Sequence, residues 1–219
     1  MNNFVPMRIT IYLESGYCKL SNMPFDSILA KLYFQKEINN GTFDGNYYKQ
    51  LRFLKMTDGI YHTSKPVYFT KYISNEVLLK RFDYRTFIHL NGDISAQKTL
   101  SNNQSGRYKN YLLNFELEHL DNIIYYINGE KDEITKLLQS LNFIGKKASL
   151  GWGKIFKIDI EELQNDYSLF NENNIPMRHF PNITKYKSHN MSEVLLPLTP
   201  PYWEHTNSIS LVYSGNEEC

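Results

Sequence analysis

The sequence predicts an α+β fold of the split βαβ type, and three observations point to it. Residues 7–13 alternate apolar and polar side chains at the two-residue period of a strand. Two later stretches, starting at Asp26 and Asp132, repeat apolar residues at helical spacing instead. Between and after those stretches the chain returns to extended runs rich in β-branched and aromatic residues.

Taken in order, Met7, Ile9, Ile11 and Leu13 mark the first strand, with Arg8, Thr10 and Tyr12 on its other face. Asp26 stands where an N-cap belongs, ahead of Ile28, Leu29, Leu32, Tyr33 and the run to Ile38, which predicts the first helix. Residues 39–46 carry Gly41 and Gly45 among asparagines and predict a loop. Residues 60–64 and 67–70 read as extended, and Pro66 implies an edge, a bulge or a break between them. From Lys80 to Arg107 the pattern turns irregular and ends in the polar run 101–106, which predicts a mobile basic insertion. Residues 108–118 and 122–127 are extended runs on either side of His119-Leu120-Asp121 and predict a hairpin. After Asn128-Gly129, a second helix is predicted with Ile134, Leu137, Leu138 and Leu141 on one face. Residues 154–158 predict the last strand. The order β, α, β, β, α, β, with the third strand duplicated by its hairpin partner, is the ferredoxin-like arrangement. It places one domain over residues 1–164. Residues 165–219, broken by Pro176, Pro181, Pro197, Pro200 and Pro201, form an extension that wraps it.

Composition narrows the function. A net charge of +1 over 219 residues argues against a surface coated in phosphate-binding groups, so any nucleic-acid contact must come from local clusters. Two such clusters exist. Residues 80–109 hold Lys80, Arg81, Arg85, Lys98, Arg107 and Lys109 against Asp83 and Asp93. Residues 145–157 hold four lysines and no acid, whereas Asp159, Glu161, Glu162, Asp166 and Glu172 make the next stretch acidic. Cys18 and Cys219 match neither a metal spacing nor a disulfide framework, which fits a reducing cytosol. No run reaches the ~18 apolar residues of a membrane span, and a soluble, cytoplasmic protein with no cofactor or metal is expected.

The most telling stretch is Phe143-Ile144-Gly145-Lys146-Lys147-Ala148-Ser149-Leu150-Gly151-Trp152-Gly153-Lys154. Glycines accept positive φ and let a ligand backbone come close, and lysines on the same loop supply charge for phosphates. It is a candidate anion-binding loop between a helix and a strand. It is not a Walker loop, and it lacks the strand-then-helix context of a dinucleotide loop, so mononucleotide binding is disfavoured. A plain helix C-cap and turn with solvated lysines is the alternative. Trp152 has two readings: stacking on a base, or filling the gap between the second helix and the sheet.

A chain of this arrangement whose second helix runs into Gly145-Lys146-Lys147-x-x-x-Gly151-Trp152-Gly153 resembles the RAMP superfamily of CRISPR-associated proteins. Three more stretches sharpen the resemblance. Pro24-Phe25-Asp26-Ser27-Ile28-Leu29-Ala30 looks like the motif opening the first helix of the small RAMP subunit of type IV effector complexes. Ser105-Gly106-Arg107-Tyr108-Lys109 and Pro200-Pro201-Tyr202-Trp203 look like two other motifs of that subunit. The resemblance implies a ferredoxin-like (RRM-like) RAMP domain with a hairpin insertion, similar to the fifth Cas family. It implies a non-catalytic subunit that holds the 5′ handle of the guide RNA (crRNA) and caps one end of the complex. RNA would lie near Gly145, Lys146, Lys147, Ser149, Gly151, Trp152, Gly153 and Lys154, with Arg107, Tyr108, Lys109, Arg81 and Arg85 as further candidates. The partners implied are the backbone and large subunits, with target DNA nearby. Tyr202 and Trp203 would dock on this domain or on a partner.

Some members of that superfamily cut precursor guide RNA without metal, using histidine, tyrosine or lysine for acid and base work. Six histidines are present: His62, His89, His119, His179, His189 and His205. His62, beside Tyr61 and followed by Lys65, is the best candidate among them, against the plainer reading of a structural strand histidine. His119 reads as a turn residue. A structural adaptor that touches only protein is a third possibility.

Overall fold

The computed structural model describes residues 3–17, 24–47, 49–80, 111–187, 190–202 and 209–213. The described chain mixes strands with two helices in an α+β fold. Strand β1 (Val5–Leu13) lies between β6 (Asn122–Gly129) and β7 (Ile155–Glu162), antiparallel to both. Its alternation does the work expected of it. Met7, Ile9 and Ile11 have no exposed surface, and in register beside them stand Ile127, Tyr125 and Ile123 of β6, also buried. Helix α1 (Asp26–Asn39) and helix α2 (Lys131–Leu138) complete this core with Leu29 and Leu32 from one, and Ile134, Leu137 and Leu138 from the other. The ring of Phe25, just ahead of α1, stacks on Tyr125 at 4.3 Å.

The outer edge of β6 is covered by a broken strand. Single bridges join Leu54 to Gly129, Thr63 to Ile127 and Val67 to Ile124. Pro66 has no N–H to give a ladder, so pairing is interrupted there, as the sequence implies. Only β2 (Met56–Thr57) and β3 (Ile60–Tyr61) pair regularly in this stretch, closing a hairpin at Asp58 and Gly59, both at positive φ.

Two expectations need correction. The runs on either side of His119-Leu120-Asp121 do not pair with each other. Strand β5 (Tyr111–His119) instead pairs along its full length with β4 (Tyr72–Lys80), a strand the sequence did not reveal. The reason lies in burial: β6 carries three core residues and belongs with β1, whereas of the named core residues β5 supplies only Leu117. Asp26 is also not the N-cap of α1. That position falls on Phe25, and Asp26 is fully buried in the first helical turn. The basic stretch 81–110 lies outside the described residues.

The C-terminal extension makes a small sheet of its own, order β8-β10-β9, from Phe180–Pro181, Met191–Leu195 and Ile209–Tyr213. Its core of Phe180, Tyr186 and Leu211 takes in Ile60 from the β2–β3 hairpin. Arg178 fastens the extension to the main body. Its side chain and that of Asp26 are wholly buried, 3.4 Å apart. The guanidinium donates to the Tyr61 carbonyl, to Thr63 Oγ1 at 3.1 Å and to the Leu198 carbonyl at 2.9 Å. Tyr202 donates its hydroxyl to Asp26 at 2.9 Å. Burial pushes the Asp26 carboxyl up, against the pull of Arg178, Tyr202 and the Ser27 backbone N–H. Among the described residues no helix is long and apolar enough to cross a membrane.

Removing one member of a buried ion pair leaves the other uncompensated, a loss of about 3–5 kcal/mol. Arg178→Met should therefore lower the free energy of unfolding by about that amount in a urea titration. An unchanged midpoint and slope would mean that the pair holds nothing together.

His179 yields a second prediction. Its Nε2–H donates to the Pro197 carbonyl at 2.8 Å, and burial, helped by the charge of Arg178, pushes the imidazole down from 6.5 to about 4. A base depressed on folding stabilises the fold only while neutral. Its contribution is full above about pH 6.5 and is lost as pH falls toward 4, about 3 kcal/mol in all at 1.36 kcal/mol per unit. His179→Gln should flatten the fall in stability over that window. Equal pH slopes in variant and parent would show that the imidazole titrates freely.

Candidate nucleic-acid interface

Residues 143–154 form a loop pinched at its base. Phe143 and Lys154 bridge, Ile144 N–H donates to the Gly153 carbonyl at 2.8 Å, and Ile155 N–H donates to Asn142 at 2.9 Å. Within it a short 3-10 turn, Ala148–Leu150, lies between left-handed residues: Lys147 at φ 62° on one side and Gly151 at φ 84° on the other. Gly153 is required twice over, by φ 67° and because a Cβ there would sit 1.8 Å from the Ile144 carbonyl oxygen. Lys147 is the unusual member, since a left-handed conformation costs a side-chain-bearing residue about 1–2 kcal/mol. Among the described residues, the backbone N–H groups of 146–149 have no backbone acceptor. Consecutive N–H groups about a left-handed residue form a concavity suited to an anion.

The loop is seated on residues 14–17, just past β1. Gly153 N–H donates to the Gly16 carbonyl at 2.7 Å, Ser15 Oγ donates to the Gly151 carbonyl at 2.8 Å, and Glu14 N–H donates to Lys154 at 2.9 Å. The same short segment holds the β4–β5 ribbon, because Tyr17 and Glu118 exchange two backbone hydrogen bonds at 2.9 Å. Loop and ribbon are thereby set beside each other. Trp152 meets the Phe115 ring of β5 edge-on at 5.1 Å, and Lys147 Nζ lies 5.5 Å from the centre of that ring. Trp152 therefore does not fill the gap between the second helix and the sheet; its half-buried ring packs on the ribbon.

The structure treats the sequence-singled residues differently. Lys146, Lys147 and Ser149 are exposed. Lys154 is also exposed but pairs with Glu14 at 2.9 Å, so part of its charge is offset. Arg81, Arg85, Arg107, Tyr108, Lys109 and Trp203 lie outside the described residues, as do His89, His189 and His205. Tyr202 is brought to Asp26, so the Pro-Pro-Tyr motif and the motif opening the first helix meet in one buried network.

Three histidines sit in structural settings. His62 is buried, with Nδ1 donating to Asp166 at 2.7 Å and Nε2 2.9 Å from Thr57 Oγ1. Burial alone would push Asp166 up, but bonds from His62, Ser168 and Asn128 outweigh it and hold the carboxyl below its usual range. His119 stacks on Tyr72 at 4.2 Å and meets Ser74 Oγ at 2.9 Å. His179, within the extension, is half-buried with Nε2 on the Pro197 carbonyl at 2.8 Å. Among the described residues no three His, Cys, Asp or Glu side chains gather as a metal would require. Ser15, Gly16 and Phe115, which seat the loop and meet Trp152, were missed by sequence reasoning; the one signal for them was a Ser-Gly pair just past the first strand.

Gly151 and Gly153 should respond unequally to a methyl group. A Cβ at Gly151 meets nothing within 4 Å, so Gly151→Ala carries only the backbone penalty of about 1–2 kcal/mol. Gly153→Ala adds a clash with backbone and should lose clearly more stability in a denaturant titration. Equal losses would contradict this geometry.

Among curated proteins none matches the chain. Residues 5–213 match the family described as CRISPR type IV associated protein Csf3. A match over nearly the whole length, with the glycine-rich loop, the ribbon and the docked extension all inside it, places this chain in the Csf3 family of type IV CRISPR-associated proteins.

Proposed function

We propose that this protein is the non-catalytic crRNA-binding subunit of a type IV effector complex, gripping the 5′ handle of the guide RNA at one end of the assembly. The observation that carries this reading is the left-handed turn at Lys147. It presents a row of N–H groups beside Lys146 and Lys147, with an aromatic pair, Trp152 and Phe115, next to it. Phosphates suit the N–H row and the lysines, and a base suits the aromatic edge. The strand order β7-β1-β6 followed by the broken strand supports a ferredoxin-like RAMP domain, because that is the order in which a split βαβ chain lays its strands. The partners in this reading are the guide RNA and the backbone and large subunits, with target DNA nearby. His62 favours a non-catalytic role over a guide-processing nuclease. It is buried and both ring nitrogens already have partners, so no face of it is offered to a ribose.

Handle RNA should bind the purified protein with an affinity that falls steeply with salt. Lys146→Ala with Lys147→Ala should weaken that binding and flatten the slope by about 1.4, since each phosphate neutralised on a single strand contributes about 0.7. Folding should be unchanged within about 0.5 kcal/mol, as for other exposed lysines. In the same buffers, with chelator, precursor repeat RNA should be recovered uncut. A double variant that folds normally yet keeps the parent's affinity and slope would reduce the loop to a turn.

A further inference from the structure

The ribbon face turned toward the glycine-rich loop carries a group that the loop does not use. Register pairs Tyr72 with His119, Ser74 with Leu117, Glu76 with Phe115 and Leu78 with Leu113 on this face. Glu76 supplies its one carboxylate, and a directly opposite pair of this kind holds its two Cβ atoms about 5 Å apart. Glu76 is exposed, and among the described residues its side chain has no hydrogen bond or ion pair. Beside it Phe115 meets Trp152 at 5.1 Å with the ring planes 64° apart, so neither ring is stacked on the other. Lys147 Nζ lies 5.5 Å from the centre of the Phe115 ring. An open aromatic pair, an unpaired carboxylate and a cation of the anion-binding loop thus stand side by side.

We propose that this corner reads a guanine: an unpaired base of the bound strand lies against Phe115 and Trp152 and gives its Watson–Crick edge to Glu76. The inference rests on the reading of the loop as an RNA site and names the base beside that site. A carboxylate repels phosphate, so the strand's backbone belongs with Lys146, Lys147 and the N–H row, and Glu76 is left to face a base. What a carboxylate recognises in a nucleic acid is a base edge that donates. Glu76 offers two acceptor oxygens side by side, neither of them engaged. Of the four RNA bases only guanine answers both, with N1–H and N2–H pointing the same way. Cytosine and adenine present one amino group next to a ring-nitrogen acceptor, and uracil one N–H between two carbonyls. Each of these sets an acceptor against the second oxygen. Stacking by itself tolerates any base, since every base has a π-face, so discrimination falls to the carboxylate.

The test titrates the full chain, at one fixed salt, with a short single-stranded oligouridine, plain or interspersed with guanine, inosine, adenine or cytosine. The guanine probe should bind at least about fivefold tighter than the uridine, adenine and cytosine probes, the low end of what a bidentate base contact discriminates. The inosine probe, which lacks the 2-amino group, should fall between. Glu76→Gln replaces two acceptors by one acceptor and one donor and should bring the guanine probe down to the level of the others. The side chain is exposed, so this exchange keeps the fold. Phe115→Leu should weaken every probe alike, because stacking is blind to sequence. Free guanosine monophosphate should not displace the guanine probe at a concentration comparable to the probe's own; displacement would assign the corner to a nucleotide and overturn the inference. Equal binding of all probes by the parent, or a guanine preference that survives Glu76→Gln, would overturn it as well. Those outcomes leave the loop reading standing, because Lys146→Ala with Lys147→Ala is judged by its salt slope and should lower all probes together without changing their order.

Discussion

An arginine with no exposed side-chain surface sets the terms for much of this molecule. Burying the guanidinium of Arg178 is tolerable only if its donors are met and its charge is balanced. Asp26 balances the charge. The carbonyls of Tyr61, His179 and Leu198 and the hydroxyls of Thr63 and Tyr202 accept its remaining hydrogen bonds or share them. Those partners come from the start of the first helix, from the broken strand beside β6 and from the extension. The Asp26 motif and the Pro-Pro-Tyr motif are therefore two halves of one interaction, and their separation by 176 residues says nothing about their distance in space.

The β2–β3 hairpin is the second fastening. Its turn presents Asp58 to Lys185 Nζ at 2.9 Å and to the Tyr186 hydroxyl at 2.7 Å, while His62 at its end holds Asp166. Ile60, between these points, enters the small core of the extension. A histidine spent in this way is a strut. The arrangement resembles a hydroxyl–imidazole–carboxylate relay in distance alone, since the imidazole lies inside the joint between body and extension.

Legibility in the sequence followed the range of the interactions. Strands β1 and β7 and both helices could be read because their periodicity expresses a local choice between a wet and a dry face. The ribbon could not. The alternate positions of Tyr72–Lys80 place Ile73, Val77 and Leu79 on a face the described chain leaves uncovered, and its partner begins some thirty residues later. A three-residue link between two extended runs then suggested a hairpin that the core's demand for β6 overrides. At the loop, the glycines announced positive φ, but Lys147 in the same conformation carried no sequence signal. Neither did Glu14, whose carboxylate offsets Lys154 from 140 positions away.

That offset bears on how tightly such a loop can hold RNA. Lys154 is paired with Glu14 and Lys157 with Asp159, so the basic run counted in the sequence overstates the charge available to a phosphate. What remains on the described loop is Lys146, Lys147 and the N–H row. Contacts of that number give affinities near the non-specific range, roughly 10⁻⁴ to 10⁻⁶ M at physiological salt. In the proposed reading so modest a grip would need cooperation, because each protein contact that fixes a subunit's position raises the effective concentration of such a loop at its RNA.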